Sequence, residues 1–196
     1  MAASAPARLP SIAALPGLPQ AQQNEVLDLL FEPSPAIHQL LLPLLQQQQD
    51  SEPLLASYDD LITRAHAVFS ALRAESSAAA ANAERSDAAE RVKLLHSILG
   101  SHPRLGAKKV ESAQSVAEQA QLQSGDGTEL ANLNAEYEKT FPGLRYVVFV
   151  NGRERPVIMD NMRARIARAD IGLEEQEGIQ AMCDIARDRA AKLQRP

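Results

Sequence analysis

An all-α domain is the fold class this 196-residue chain predicts, and three observations carry it. Helix formers (Ala, Leu, Gln, Glu and Arg) dominate the composition. Apolar residues recur at three- and four-residue steps along most of the chain. Only one stretch, Arg145 to Val150, concentrates β-branched and aromatic residues, in a chain with no Trp and 4% aromatic residues. The expectation is a single-domain helical bundle of about eight helices with one short extended segment. It covers residues 11–194, follows a flexible N-terminus at 1–10, and carries loop insertions at 46–53 and 76–86.

Prolines at 10, 16, 19, 33, 35, 43 and 53 divide the first quarter into short pieces. A first helix is predicted over Gln20 to Phe31, with Val26, Leu29 and Leu30 on its apolar face. A second runs from Pro35, suited to a first helical turn, to about Gln46. The polar run Gln46 to Glu52 reads as a loop. Leu61, Ala65, Val68 and Leu72 mark a helix from Ser57 to Ala74. Ser76 to Ser86 has no large apolar anchor and reads as a surface loop. Asp87 caps a helix that ends at Leu99, with Gly100 as its stop. A short helix from Ser112 to Leu122 and a longer one from about Thr128 to Phe141 flank the turn Ser124-Gly125-Asp126-Gly127. Arg145 to Val150 is extended and enters a turn at Asn151-Gly152. Two closing helices span about Pro156 to Arg168 and Leu173 to Leu193. No internal repeat is visible.

A chain of this length buries roughly 70% of its unfolded surface and needs no staple. The single cysteine, Cys183, rules out an internal disulfide and fits an inert core thiol. A net charge of −5, from 25 acidic and 20 basic side chains, argues against broad nucleic-acid binding. It leaves room for a small anion, because one Arg in a cleft suffices for a carboxylate. No stretch approaches the ~20 apolar residues of a membrane span, and residues 1–10 make a poor signal peptide. Gln194-Arg195-Pro196 is not a peroxisomal Ser-Lys-Leu address, so a cytoplasmic protein is expected, with the peroxisome as the alternative. There is no phosphate-cradling loop, dinucleotide fingerprint or nucleophile elbow. The histidines do not fall into paired metal-ligand spacing, so no metal site is expected.

Four histidines are present. His38, His66 and His96 fall inside predicted helices, where partnered or surface imidazoles are the ordinary outcome. His102 follows the helix stop at Gly100 and precedes Pro103, which pushes its backbone to an extended conformation. Ser115, Glu118 and Gln119 share a helical face, a pattern that by itself reads as a capping box or a solvated stripe. Arg189, in the company of Arg187, Lys192 and Arg195, is unremarkable alone.

Read in order, these pieces resemble the 2-oxo-4-hydroxy-4-carboxy-5-ureidoimidazoline (OHCU) decarboxylase family. The resemblance covers roughly Leu9 to Leu193. It rests on Phe31-Glu32-Pro33-Ser34-Pro35, His102-Pro103-Arg104-Leu105-Gly106, Ser115-Val116-Ala117-Glu118-Gln119, and the Leu133, Asn134, Tyr137, Phe141 signature. The run Tyr146-Val147-Val148-Phe149-Val150 and Arg189 in the final helix complete it. Two departures stand out: Arg104, where many members have an acidic residue, and Ala120-Gln121-Leu122, where many have Ala-Gly-Leu.

The resemblance implies a homodimeric carboxy-lyase of uric acid degradation that converts OHCU to (S)-allantoin without a cofactor. Its site would comprise His102, Glu118 and Arg189 as catalytic residues. Pro103, Ser115, Gln119, Tyr146, Val147, Val148, Phe149 and Val150 would bind substrate. On this reading His102 moves the proton, Glu118 hydrogen-bonds His102, and Arg189 grips the substrate carboxylate bidentately. Backbone groups of Tyr146 to Val150 would hold the ureido and ring amides. The competing expectation is a catalytically inactive helical interaction protein of the same descent.

Overall fold

A computed structural model of the chain describes residues 8–46, 55–81, 87–107, 113–119 and 127–194. Among these, the apolar periodicity resolves into eight α-helices: α1 (Gln20–Phe31), α2 (Pro35–Gln46), α3 (Tyr58–Ala81), α4 (Asp87–Leu99), α5 (Ala113–Gln119), α6 (Gly127–Thr140), α7 (Arg155–Arg168) and α8 (Ile171–Leu193). A single 3₁₀ turn, Leu15–Gly17, precedes α1. No helix among the described residues is long and apolar enough to cross a membrane.

The two long helices, α3 and α8, form the centre. α8 packs on α3, α1 and α4, α3 also packs on α4, and α6 pairs with α7. Leu27 and Phe31 from α1, Leu61 and Phe69 from α3, Ile98 from α4, and Met182 and Cys183 from α8 meet in one apolar core. Phe31 and Phe69 meet edge to face with ring centroids 5.9 Å apart, the arrangement their quadrupoles favour. Cys183 is fully buried and burial pushes its thiol up to about 12, which makes it chemically inert. Local chemistry sets the helix ends. Ala169 closes α7 in the left-handed region, and Asp170 caps α8 by accepting a hydrogen bond from the Leu173 N–H at 2.9 Å.

Two expectations change. Residues 76–81, predicted as loop, are helical, because α3 continues through Ala81. The Ala- and Ser-rich composition that lacked an apolar anchor is also strongly helix-forming, and the buried Ser76 hydroxyl bonds back to the Leu72 carbonyl at 2.8 Å. At the N-terminus, residues 8–10 are tied down: the Leu9 N–H donates to the Leu193 carbonyl at 3.3 Å, and the Tyr58 hydroxyl to that of Pro10 at 3.0 Å. Residues 1–7, 47–54, 82–86 and 120–126 lie outside the described residues, and with them the rest of the predicted loops and the Ala120-Gln121-Leu122 departure.

Residues 144–150 run extended between α6 and α7, without a strand partner among the described residues, into a turn at Asn151 (φ 44°) and Gly152 (φ 72°). A buried ion pair anchors this run. Arg165 of α7 donates to the Val147 carbonyl at 3.1 Å and lies over the Tyr146 ring, 4.7 Å from its centroid. The same guanidinium pairs with the fully buried Glu174 of α8, which also accepts from the Tyr137 hydroxyl at 2.5 Å. One charged pair therefore ties α6, α7 and α8 to this extended run.

Candidate active site

Four separate pieces of chain surround a cavity of about 340 Å³. The first is the loop after α4. The Gly100 N–H closes on the His96 carbonyl at 2.8 Å, and the chain then leaves the helix. Arg145 donates to the carbonyls of Gly100 and His102 at 3.1 and 3.5 Å, and Asn134 donates to that of Leu105 at 3.0 Å. These bonds hold His102 and Pro103 against the cavity. The second piece is α5, which presents Ser115 and Glu118 one turn apart. The third is the extended run Tyr146 to Val150. The fourth is the last part of α8, where Ile185, Asp188 and Lys192 face inward at helical spacing.

Of the expected site residues, His102, Pro103, Ser115, Glu118, Tyr146, Val147, Val148, Phe149 and Val150 all line this cavity. Arg189 sits behind it, 1% exposed, joined to it through Ser115 and Glu118. The Gln119 side chain lies outside the described residues.

His102 differs from the other histidines. His38 pairs with Asp28 at 2.5 Å, His66 with Ser70 at 3.5 Å, and His96 with Glu175 at 2.9 Å. His102 is buried, and among the described residues neither Nδ1 nor Nε2 has a hydrogen-bond partner. Burial, reinforced by the nearby Arg189 charge and only partly opposed by Glu32, lowers it to about 4. At neutral pH it is an uncharged ring with one nitrogen free to accept a proton.

The carboxylate expected beside His102 faces elsewhere. Glu118 forms a two-pronged pair with Arg189: Oε1 accepts from Nε at 2.7 Å and Oε2 from Nη2 at 2.9 Å. Two corrections follow. There is no Glu118–His102 hydrogen bond, and the edge of Arg189 best suited to a bidentate substrate carboxylate is already occupied. What remains is Nη1, buried and without a partner among the described residues. Both corrections share a cause, since a buried guanidinium draws the nearest carboxylate, and that attraction outweighs a bond to a neutral ring.

A further residue belongs to the cluster that the sequence reading left in a motif without a role. Glu32, at the end of α1, is 3% exposed. Its Oε1 accepts from the Ser115 hydroxyl and from Arg189 Nη2, both at 2.6 Å. Burial would raise this carboxyl, but Arg189 and the Ser115 hydrogen bond outweigh it and hold the group below its ordinary range. The Phe31-Glu32-Pro33-Ser34-Pro35 motif was the one available signal.

Two other features bear on the chemistry. Among the described residues the N–H groups of 146–150 donate to no backbone acceptor, whereas the carbonyls of Val147, Phe149 and Val150 are capped by Arg165 or Arg153. Arg104, the departure in the His-Pro motif, turns away from the cavity and pairs with Glu138 of α6. No cluster of three or more His, Cys, Asp or Glu among the described residues is arranged to hold a metal ion.

Fold and site together define an all-α protein with a partly open cavity lined by a buried imidazole, charged side chains and an extended stretch of chain. The chain belongs to the OHCU decarboxylase family, whose profile matches residues 16–191. The family is one of decarboxylases, carboxy-lyases of urate degradation. No curated protein matches the sequence.

Proposed function

We propose that this chain decarboxylates OHCU to (S)-allantoin without a cofactor. The observation that carries the reading is His102: a buried, unpartnered imidazole facing a cavity walled by the same segments that carry the family motifs. The substrate bears a carboxylate and a hydroxyl on one ring carbon, next to a ring C=N bond. When CO2 leaves, the electrons of the broken C–C bond form a C=C bond to the neighbouring carbon. The former C=N pair moves onto nitrogen, which takes a proton from solvent. The substrate therefore supplies its own electron sink, the task a cofactor performs elsewhere.

The resulting enol becomes allantoin by losing its hydroxyl proton and gaining one on the neighbouring carbon. A neutral His102 accepts the first and returns the second, and because the ring reaches only one face, a single enantiomer forms. Free N–H groups of residues 146–150 suit the oxygen acceptors of the substrate. Arg189 offers the Nη1 edge and fixes Glu118 and Ser115, so its contribution is orientation and charge balance. The homodimer implied by the resemblance is part of this reading, and light scattering checks it.

The competing reading, an inactive interaction protein, draws on Arg104. That side chain makes its ion pair outside the cavity, which favours the enzyme. The test is circular dichroism of a freshly generated urate-oxidation mixture with and without the protein. The parent chain speeds the growth of an optical signal, and His102→Asn or His102→Ala, folded by far-UV spectrum, does not. Optically active allantoin at the parent rate from either variant removes His102 from the mechanism, and silence from the parent removes the enzyme.

A further inference from the structure

Glu32 has two unusual features besides its burial. It sits at φ 79° and ψ 152°, a region essentially reserved for glycine and strained for a residue with a side chain. Its carboxylate also bridges three elements: it leaves the end of α1, receives the Ser115 hydroxyl of α5 and receives Arg189 of α8. α5 has no extensive helix packing among the described residues and a half-exposed Val116, so the polar bonds of Ser115 and Glu118 hold it in place over the cavity.

We propose that Glu32 is a positioning residue of the decarboxylation, acting through Arg189 and Ser115 to seat the α5 wall and, with Glu118, to offset the guanidinium charge felt by His102. It lines no part of the cavity, so its influence is indirect. The charged groups that act on the imidazole or share its cavity and loop are Glu32 from α1, Glu118 from α5, Arg145 at the His102 carbonyl, and Asp188, Arg189 and Lys192 from α8. Arg189 opposes an imidazolium and Glu32 favours one, so removing the Glu32 charge makes His102 a weaker proton acceptor.

This inference rests on the decarboxylase reading, and the test separates the two. Glu32→Gln keeps an oxygen acceptor and removes the charge, whereas Glu32→Ala removes both. For Glu32→Gln, kcat falls by about tenfold while KM does not rise, because a negative charge has left a site that takes an anion. In the same variant the His102 ring resonance titrates at lower pH than in the parent, read by NMR on the free protein. Glu32→Ala raises KM as well, because α5 loses its anchor. A Glu32→Gln protein with parental kcat, or with an unmoved His102 titration, overturns the proposal. If the parent makes no optically active product, the function fails separately, and the titration still decides whether Glu32 acts on His102.

Discussion

Glu174→Gln tests how strongly the buried ion pair holds the extended run. The Glu174 side chain is fully buried and the Arg165 side chain 5% exposed, so the substitution leaves a guanidinium charge inside the protein with its main counter-ion gone. Removing one partner of a buried pair typically costs about 3–5 kcal/mol. Glu177, with Oε2 3.3 Å from Arg165 Nε and partly exposed, still offers some compensation. The lower end, about 3 kcal/mol, is therefore the expected loss. For a chain of this length that corresponds to a fall in Tm of roughly 6–12 °C. The assay is urea unfolding followed by far-UV circular dichroism, with thermal unfolding as a second measure. The amide still accepts from Tyr137 and Arg165, so a collapse of the fold is not expected. A loss below about 1 kcal/mol would refute the reasoning, because it would mean the pair is hydrated or replaceable.

Two further predictions concern the site. His102 titrates near 6.5 when unfolded and at about 4 when folded, so protons favour the unfolded chain between those values. Its contribution is fully present above pH 6.5 and drains as pH falls towards 4, with a slope of up to about 1.4 kcal/mol per pH unit. Urea midpoints at pH 7.5 and 5.5 measure it, and His102→Gln should flatten the slope; parallel behaviour of variant and parent contradicts the assignment. Arg189→Lys replaces a planar fork that serves Glu32, Ser115 and Glu118 with a point charge, so kcat/KM should fall by at least about tenfold. Parental kcat/KM in the stereochemical assay would show that the fork geometry is dispensable.

The helices were legible because their apolar residues are local and periodic. Val26, Leu30, Leu61, Leu72 and Leu133 announce faces that the fold does bury. The extended run was legible for the opposite reason, since no helical period fits Tyr146 to Val150. Residues 76–81 are helical without showing it in their pattern, because an Ala- and Ser-rich stretch has helix propensity but no hydrophobic stripe. At the site, sequence and motif order gathered His102, Ser115, Glu118 and Arg189, but pairing among them was not readable. Glu118 and Arg189 lie 71 positions apart and Glu32 and Arg189 157 apart, so no local spacing reports who faces whom. Glu32 stayed unassigned because its contacts are all of that kind.

The extended run separates two evolutionary pressures that usually compete. At residues 146–150 the amide hydrogens meet no backbone acceptor among the described residues, while Tyr146, Val147 and Val150 fill the hydrophobic interior. A peptide group offers the same hydrogen whichever side chain it carries. Apart from Tyr146, whose hydroxyl bonds to Asn161 and to the Ile158 carbonyl and whose ring lies under Arg165, substitutions there are constrained by volume and shape, and the peptide groups survive them. Drift in this stretch can therefore retune stability while the chemistry it presents stays constant.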